Sequence, residues 1–167
     1  MIATRSLTLA SLLIAAGIAA AVVFHAMGVG GQIALPLHYP ALIAGFLLGW
    51  RWGLGVGLIV PLLSALLTGM PPLIPSALLM IPELAVYGAA AGLLRRAIGL
   101  YPALFAALIL GRAAWGTAVW ILIPLLGLEI PIWAALTGAL ITGLPGIVAQ
   151  IVLVPVIVSR LEKTYCP

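Results

Sequence analysis

Long apolar stretches follow one another along the chain, separated by Gly, Pro and Arg residues or by short polar turns. A helix needs about 20 apolar residues to cross the roughly 30 Å hydrocarbon core of a bilayer. The pattern predicts six transmembrane helices, at about residues 6–27, 38–50, 52–69, 75–95, 100–127 and 131–159. The second stretch is short for a span, so the alternative is a re-entrant hairpin that it forms with the third stretch.

The distribution of basic residues favours six helices over five or seven. With six spans and a cytoplasmic N-terminus, the basic residues at both termini and at both inner turns lie on one side of the membrane, as the positive-inside rule requires. These residues are Arg5, Arg51, Arg95, Arg96, Arg160 and Lys163. The predicted outer connections, at 28–37, 69–74 and 127–130, contain no Lys or Arg. We therefore expect both termini in the cytoplasm. The first apolar stretch is longer than the core of a signal peptide, so we expect it to be retained as a helix.

Composition excludes a soluble protein. Apolar residues make up 65% of the 167 residues and charged residues only 6%, whereas about a quarter of the residues of a soluble domain are charged. We predict one all-α membrane domain over residues 1–167. The net charge of +4 comes from basic residues that stand singly or in pairs between apolar stretches, which indicates membrane orientation and not nucleic-acid binding. The single cysteine, Cys166, excludes an intrachain disulfide.

The sequence lacks the usual motifs of catalysis, nucleotide binding and metal binding. It has no nucleophile elbow, no His-Glu-x-x-His, no phosphate-binding Gly-Lys-Ser/Thr loop and no pair of aspartates. His25 has no Cys, Asp or second His at ligand spacing, so we expect no metal site. We predict neither an enzyme nor a protein that binds a cofactor.

Glu83 and Arg112 are the charged residues that this topology leaves inside the bilayer. A charge at this depth costs a few kcal/mol, so such residues usually pair with each other or line a polar cavity. At 1.5 Å per residue, each lies roughly 12 Å below the predicted outer surface. Because the depths agree, we expect the two helix faces to meet.

Two interpretations of this pair remain open. At 100° per residue, Tyr87 shares a helix face with Glu83, and Trp115 shares one with Arg112. The pair could be an ion pair that only tolerates insertion, or it could line an outward-facing cavity in which Trp115 stacks on a ligand ring. The second interpretation makes Glu83, Tyr87, Arg112 and Trp115 candidate substrate-binding residues.

Other polar and aromatic residues of the outer half are further candidates. His38, Tyr39 and Gln32 could close over a cavity, although a His-Tyr pair at the level of the headgroups is the alternative. Trp133 is either a ligand contact or an interface anchor. Gln150 lies deeper, and we expect it to form an interhelical hydrogen bond.

Small residues recur at four-residue spacing, which lets helix backbones approach closely in lipid. Ser11, Ala15 and Ala19 form such a ridge in the first helix, and Gly49, Gly53 and Gly57 form another at the junction of the second and third helices. The first ridge is similar to the Ala-xxx-Ala ridge of the substrate-binding S components of energy-coupling factor (ECF) transporters. The Gly-punctuated stretch 44–57, with a cytoplasmic Arg51, also resembles the junction of helices two and three in that family.

The resemblance implies a high-affinity binding protein for a small water-soluble vitamin or related metabolite. It also implies docking through Ser11, Ala15 and Ala19 onto a transmembrane coupling subunit that works with two cytoplasmic ATPases in a prokaryotic plasma membrane. The ligand would then lie in the outer half of the bundle, contacted mainly by helices four to six. The alternatives are a stand-alone facilitator or channel, for which the inner half offers few polar groups, and a structural membrane subunit.

Overall fold

The computed structural model describes residues 2–28 and 30–165, and Cys166 lies outside this part of the chain. The described residues form helices joined by short turns. The helices are α1 (Ile2–Ala26), α2 (Gly31–Ala34), α3 (His38–Leu48), α4 (Trp50–Thr68), α5 (Leu78–Ile98), α6 (Leu100–Leu125) and α7 (Ile132–Tyr165). A wide helical turn at Leu73–Ala77 leads directly into α5.

Six segments of the described chain are long and apolar enough to cross a membrane, which confirms the six predicted spans. The second segment, Gly31–Leu48, reaches full length because α2 precedes α3 within it. The short stretch that left a re-entrant hairpin open therefore belongs to a segment of spanning length. The last helix also continues beyond the predicted end at residue 159, to Tyr165.

Two glycines reverse the chain at the turns predicted to be cytoplasmic. Gly49, between α3 and α4, has φ 92°, and Gly99, between α5 and α6, has φ 84°. A residue with a side chain rarely adopts such an angle, whereas glycine does so without steric cost. Helices α3 and α4 are therefore joined through one glycine, and α5 and α6 through another. The helices of each of these two pairs lie side by side.

Helix α5 is central, because it packs against α3, α4 and α6. Helix α7 closes one side of the bundle against α6, α3 and the short α2, while α1 packs against α3 and α4. One buried cluster joins α3, α5, α6 and α7 around Tyr87, Leu42 and Leu104. A smaller cluster joins the predicted outer ends of α5 and α6 to the start of α7.

Glycines bring α4 and α5 into backbone contact. A Cβ at Gly53 would meet the carbonyl oxygen of Gly88, and a Cβ at Gly88 would meet that of Gly53. Gly57 lies in the same way against the backbone of Leu84. The ridge of small residues that includes Gly53 and Gly57 therefore packs within the molecule and fixes the position of the helix that carries Glu83.

Candidate functional site

Glu83 of α5 and Arg112 of α6 form an ion pair inside the bundle. Nη1 of Arg112 lies 3.2 Å from Oε1 of Glu83. The Glu83 side chain is 2% exposed and that of Arg112 is 15% exposed. Both residues lie within segments of spanning length. The contact between their side chains confirms that the two helix faces meet, as the matching depths predicted.

His38, the first residue of α3, is a third member of this group. Its Nε2 lies 3.5 Å from the same Oε1 of Glu83, and the residue is only 2% exposed. Oε1 therefore lies between a histidine nitrogen and a guanidinium nitrogen. His38 is thus a buried residue of the bundle interior, and the headgroup-level pairing with Tyr39 that the sequence left open does not describe it.

Tyr87 completes a cluster of four polar residues in the bundle interior. It lies one turn along α5 from Glu83 and is fully buried. Its ring centroid is 5.5 Å from that of His38, and the ring also packs onto Gly111 of α6, where a Cβ would overlap it. The hydroxyl group interacts electrostatically with both Glu83 and Arg112. We call Glu83, Arg112, His38 and Tyr87 the polar cluster.

Many polar atoms of this cluster have no hydrogen-bond partner. In the part of the chain that the structure describes, the buried side-chain nitrogen and oxygen atoms without a partner all belong to the polar cluster and to Gln150. They are His38 Nδ1 and Nε2, Glu83 Oε1, Tyr87 Oη, Arg112 Nε and Nη2, and Gln150 Nε2 and Oε1. Most buried polar groups in proteins are hydrogen-bonded, so this concentration of atoms without a partner makes the polar cluster the candidate site.

Gln150 departs from its prediction. The residue is fully buried in α7, but neither atom of its amide group has a hydrogen-bond partner among the described residues. The interhelical hydrogen bond expected from the sequence is therefore wrong. Gln150 lies on α7, about one helical turn after Gly146. Helix α7 packs on the buried apolar cluster that contains Tyr87.

The segment before α3 and two glycines of α7 cover the Arg112 side of the cluster. A Cβ at Gly143 would lie 2.8 Å from Nη2 of Arg112 and 3.9 Å from Cδ1 of Leu35. Gly146 lies against Leu35 and the carbonyl oxygen of Ile33. Leu35 is 6% exposed and has a left-handed backbone, with φ 50° and ψ 45°. This conformation costs a residue with a side chain roughly 1–2 kcal/mol, and here it places the leucine side chain against α7.

The remaining candidate residues are not members of the polar cluster. Tyr39 is partly buried and packs on the core that contains Tyr87. Trp115 is partly buried and packs on a separate, apolar cluster at the predicted outer ends of α5, α6 and α7. Gln32 is exposed on α2. Trp133 is 70% exposed and makes an edge-to-face contact with Trp120, with ring centroids 6.1 Å apart.

No sequence pattern points to Gly143, Gly111 and Leu35 as residues of this region. Two of these residues are glycines on apolar helices, which carry no chemical signal of their own. Leu35 is one of many leucines, and its backbone conformation depends on contacts with a helix more than 100 residues away in the chain.

The ridge of the first helix faces away from the bundle. Ser11, Ala15 and Ala19 are all exposed. The opposite face of α1 is the packed one, with Leu9 and Ala10 buried and Gly17 against Pro40. The small residues therefore form an open surface of the described protein.

A separate cavity of about 210 Å³ lies where the C-terminal ends of α1 and α4 meet. Val22, His25, Ala26, Thr68 and Met70 line it. None of these residues belongs to the polar cluster, and the lining is mainly apolar. In the described residues, no three His, Cys, Asp or Glu side chains come together where they could hold a metal ion.

A sequence model of the family described as ECF transporter, substrate-specific component, matches residues 5–158. The chain belongs to this family. Searches of curated proteins and of solved structures gave no match. As an S component, the protein is a multi-pass membrane protein that binds a substrate for transport, and it is not an enzyme. Its family membership also implies that it works with an ECF module, which consists of a transmembrane coupling subunit and ATPases.

Proposed function

We propose that this S component binds a small water-soluble vitamin or related metabolite at the polar cluster and delivers it to the ECF module for import across a prokaryotic plasma membrane. The observation that carries the proposal is the group of polar atoms without a hydrogen-bond partner in Arg112, His38 and Tyr87, buried around the Glu83–Arg112 ion pair within the spanning segments. Each such group costs free energy in a bilayer unless it finds a partner. A polar ligand supplies these partners.

The proposed ligand site extends from the cluster toward the predicted outer ends of α5, α6 and α7. Trp115 lies three residues along α6 from Arg112, in the direction of that end, and offers a flat face to a ligand ring. Tyr39, Gln32 and Trp133 are proposed to border the same region, with Gln32 on the exposed α2 and Trp133 at the start of α7. Leu35 and Nη2 of Arg112 both lie beside Gly143 of α7. We therefore propose that the ligand enters when the segment around Leu35 moves away from α7.

Docking onto the coupling subunit is proposed to use the exposed ridge of α1. Small side chains at Ser11, Ala15 and Ala19 allow a partner helix to approach the backbone of α1 closely, and packing of this kind drives helix association in lipid. The ridge lies on a helix other than those that carry the polar cluster. Ligand binding and docking can therefore be tested separately.

The experiment that tests the function is mass spectrometry of small molecules released from the purified protein. We expect a single metabolite at near-stoichiometric amounts, and we expect the Glu83→Gln, Arg112→Gln double variant to release none. A matched variant, Tyr101→Ala, alters an exposed aromatic residue at the predicted cytoplasmic start of α6, outside the proposed site, and should release the same molecule. Equal release from the wild type and the double variant, or release of lipid alone from both, would contradict binding at the polar cluster.

A further inference from the structure

The Arg112 guanidinium has one occupied and one free edge. Nη1 faces Oε1 of Glu83 at 3.2 Å. Nε and Nη2 are buried and have no hydrogen-bond partner. The N–H groups of Nε and Nη2 point in parallel along one edge of the planar group, so two unpaired donors face the same direction.

Gly143 leaves the Nη2 end of this edge without a side chain from α7 against it. A Cβ at position 143 would lie 2.8 Å from Nη2, closer than a carbon atom can approach without displacing its neighbour. Any residue other than glycine would therefore press on the edge or fill the space in front of it. The combination of a buried arginine edge and a glycine beside it is what an approaching group of the ligand requires.

The donor pattern selects the chemical class of that group. Arginine has donors only, and two parallel N–H groups are matched by the two oxygens of a carboxylate in a bidentate pair. A primary amide presents one oxygen and one NH₂ group, so one of its N–H bonds would point at an N–H bond of Arg112. We propose that the Nε and Nη2 edge of Arg112 binds a carboxylate of the substrate, which makes the substrate a small carboxylic acid. This inference rests on the proposed function.

A ligand carboxylate would lie beside the Glu83–Arg112 pair. Nη1 of Arg112 faces Oε1 of Glu83 at 3.2 Å, and the edge formed by Nε and Nη2 is the one without a partner. Arg112 would then be shared between Glu83 on its Nη1 side and the ligand on this edge. His38, with Nε2 at 3.5 Å from Oε1 of Glu83, lies on the other side of the Glu83 carboxylate.

The test compares acids with neutral analogues of the same shape. The probes are nicotinate and nicotinamide, biotin and biotin amide, and pantothenate and pantothenol, each titrated from micromolar to millimolar concentration onto the purified full chain in detergent. Thermal stabilisation and calorimetry report binding. We expect at least one acid to bind at least tenfold more tightly than its neutral analogue. If no acid binds more tightly than its analogue, the carboxylate assignment is wrong.

Two variants connect that preference to the proposed edge. Arg112→Lys keeps the positive charge but cannot form the bidentate pair, and Gly143→Ala places a carbon against Nη2. We expect each variant to bind the preferred acid at least tenfold more weakly. Gly138→Ala is the matched control on the same helix, because a Cβ at position 138 meets nothing within 4 Å. Unchanged affinity in a folded Arg112→Lys and a folded Gly143→Ala would overturn the proposal.

The outcome also separates this inference from the proposed function. If the molecule released from the wild-type protein is neutral and its binding depends on Arg112, the S component binds a substrate at the polar cluster but the carboxylate assignment is wrong. If neither the probes nor any released molecule depends on Arg112, both proposals fail.

Discussion

Arg112 on α6 and Glu83 on α5 meet in the bundle interior, with Nη1 of the arginine 3.2 Å from Oε1 of the carboxylate. Both residues lie in segments that are apolar enough to span a bilayer. Each charge alone is costly there, and the partner reduces the cost without removing it, because both groups lose their hydration. The pair therefore lowers the cost of insertion, and Nε and Nη2 of Arg112 have no hydrogen-bond partner among the described residues.

Separating the two charges should destabilise the fold more than removing both. Glu83→Gln leaves Arg112 without a counter-charge, and breaking a buried pair in this way typically costs about 3–5 kcal/mol. Arg112→Gln leaves Glu83 without its counter-charge in the same way. In the double variant no charge is left uncompensated. Thermal unfolding in detergent should therefore rank the double variant above Glu83→Gln. A double variant less stable than both single variants would show that the side chains contribute mainly by packing.

The crossing of α4 and α5 should not accept a side chain at Gly88. An alanine there would push its Cβ into the backbone of Gly53, which cannot move as a flexible side chain can. Overpacking of this kind usually costs about 1–3 kcal/mol. Gly55→Ala is the control on the same pair of helices, because its Cβ meets nothing within 4 Å and alanine favours helix. The unfolding temperature should fall for Gly88→Ala and stay the same or rise for Gly55→Ala. Equal effects of the two variants would argue against the close backbone contact.

The six spans and the pairing of Glu83 with Arg112 could be predicted from the sequence alone. The spans depend on hydropathy and length, which are local properties. The pair could be predicted because a charge inside a membrane restricts its partners to residues at the same depth, and few charged residues lie inside the spans. Depth follows from counting residues along a helix.

The position of His38 could not be derived in that way. Counting residues along the chain puts His38 at the outer start of a helix. Such a place is compatible with a surface position as well as with a buried one. The structure buries eight of the 11 residues of α3, including the first. The segment before it turns inward at Leu35, and that turn is held by contacts with α7. Such contacts between distant segments leave no periodic pattern in the sequence. For the same reason, the position of Gly143 beside Arg112 could not be predicted from the sequence.

The ridge of α1 should be required for transport but not for ligand binding. Ala15→Leu places a bulky side chain in the middle of the exposed face and should prevent close approach of a partner helix. Ala16→Leu is the matched control, since Ala16 is also exposed but lies 100° around the helix from Ala15. With the ECF module present, uptake by cells should be lost in the first variant and retained in the second. Normal uptake with Ala15→Leu would show that the coupling subunit docks elsewhere.

Both termini should be cytoplasmic. In a Cys166→Ser background, a cysteine at Gln32 should react with a membrane-impermeant maleimide added to intact cells, because Gln32 is exposed in a connection without basic residues. A cysteine at Ala97, exposed beside Arg95 and Arg96, should react only after permeabilisation. In the wild type, Cys166 should be protected in intact cells as well. Labelling of Ala97→Cys from outside would invert the topology.

Trp115 should contribute to ligand affinity through its ring. It lies one turn along α6 from Arg112, partly buried among apolar side chains such as Leu79, Val119 and Leu136. A ligand held by Arg112 and extending toward the predicted outer end of the bundle would pass the indole. Replacing Trp115 with Ala should weaken binding by about 1–3 kcal/mol, the usual cost of losing an aromatic contact. Trp115→Phe keeps a flat ring and should lose less.

Calorimetric titration of the metabolite released from the wild-type protein measures this effect. Tyr101→Ala is the control, because Tyr101 lies on the same helix but is 58% exposed near its predicted cytoplasmic start, far along the helix from Trp115. Its affinity should match that of the wild type. An unfolding temperature measured for each variant distinguishes loss of a ligand contact from loss of packing at the ends of α5, α6 and α7. Wild-type affinity in a folded Trp115→Ala would place the ligand away from this helix face, and the proposed extension of the site beyond Arg112 would then be wrong.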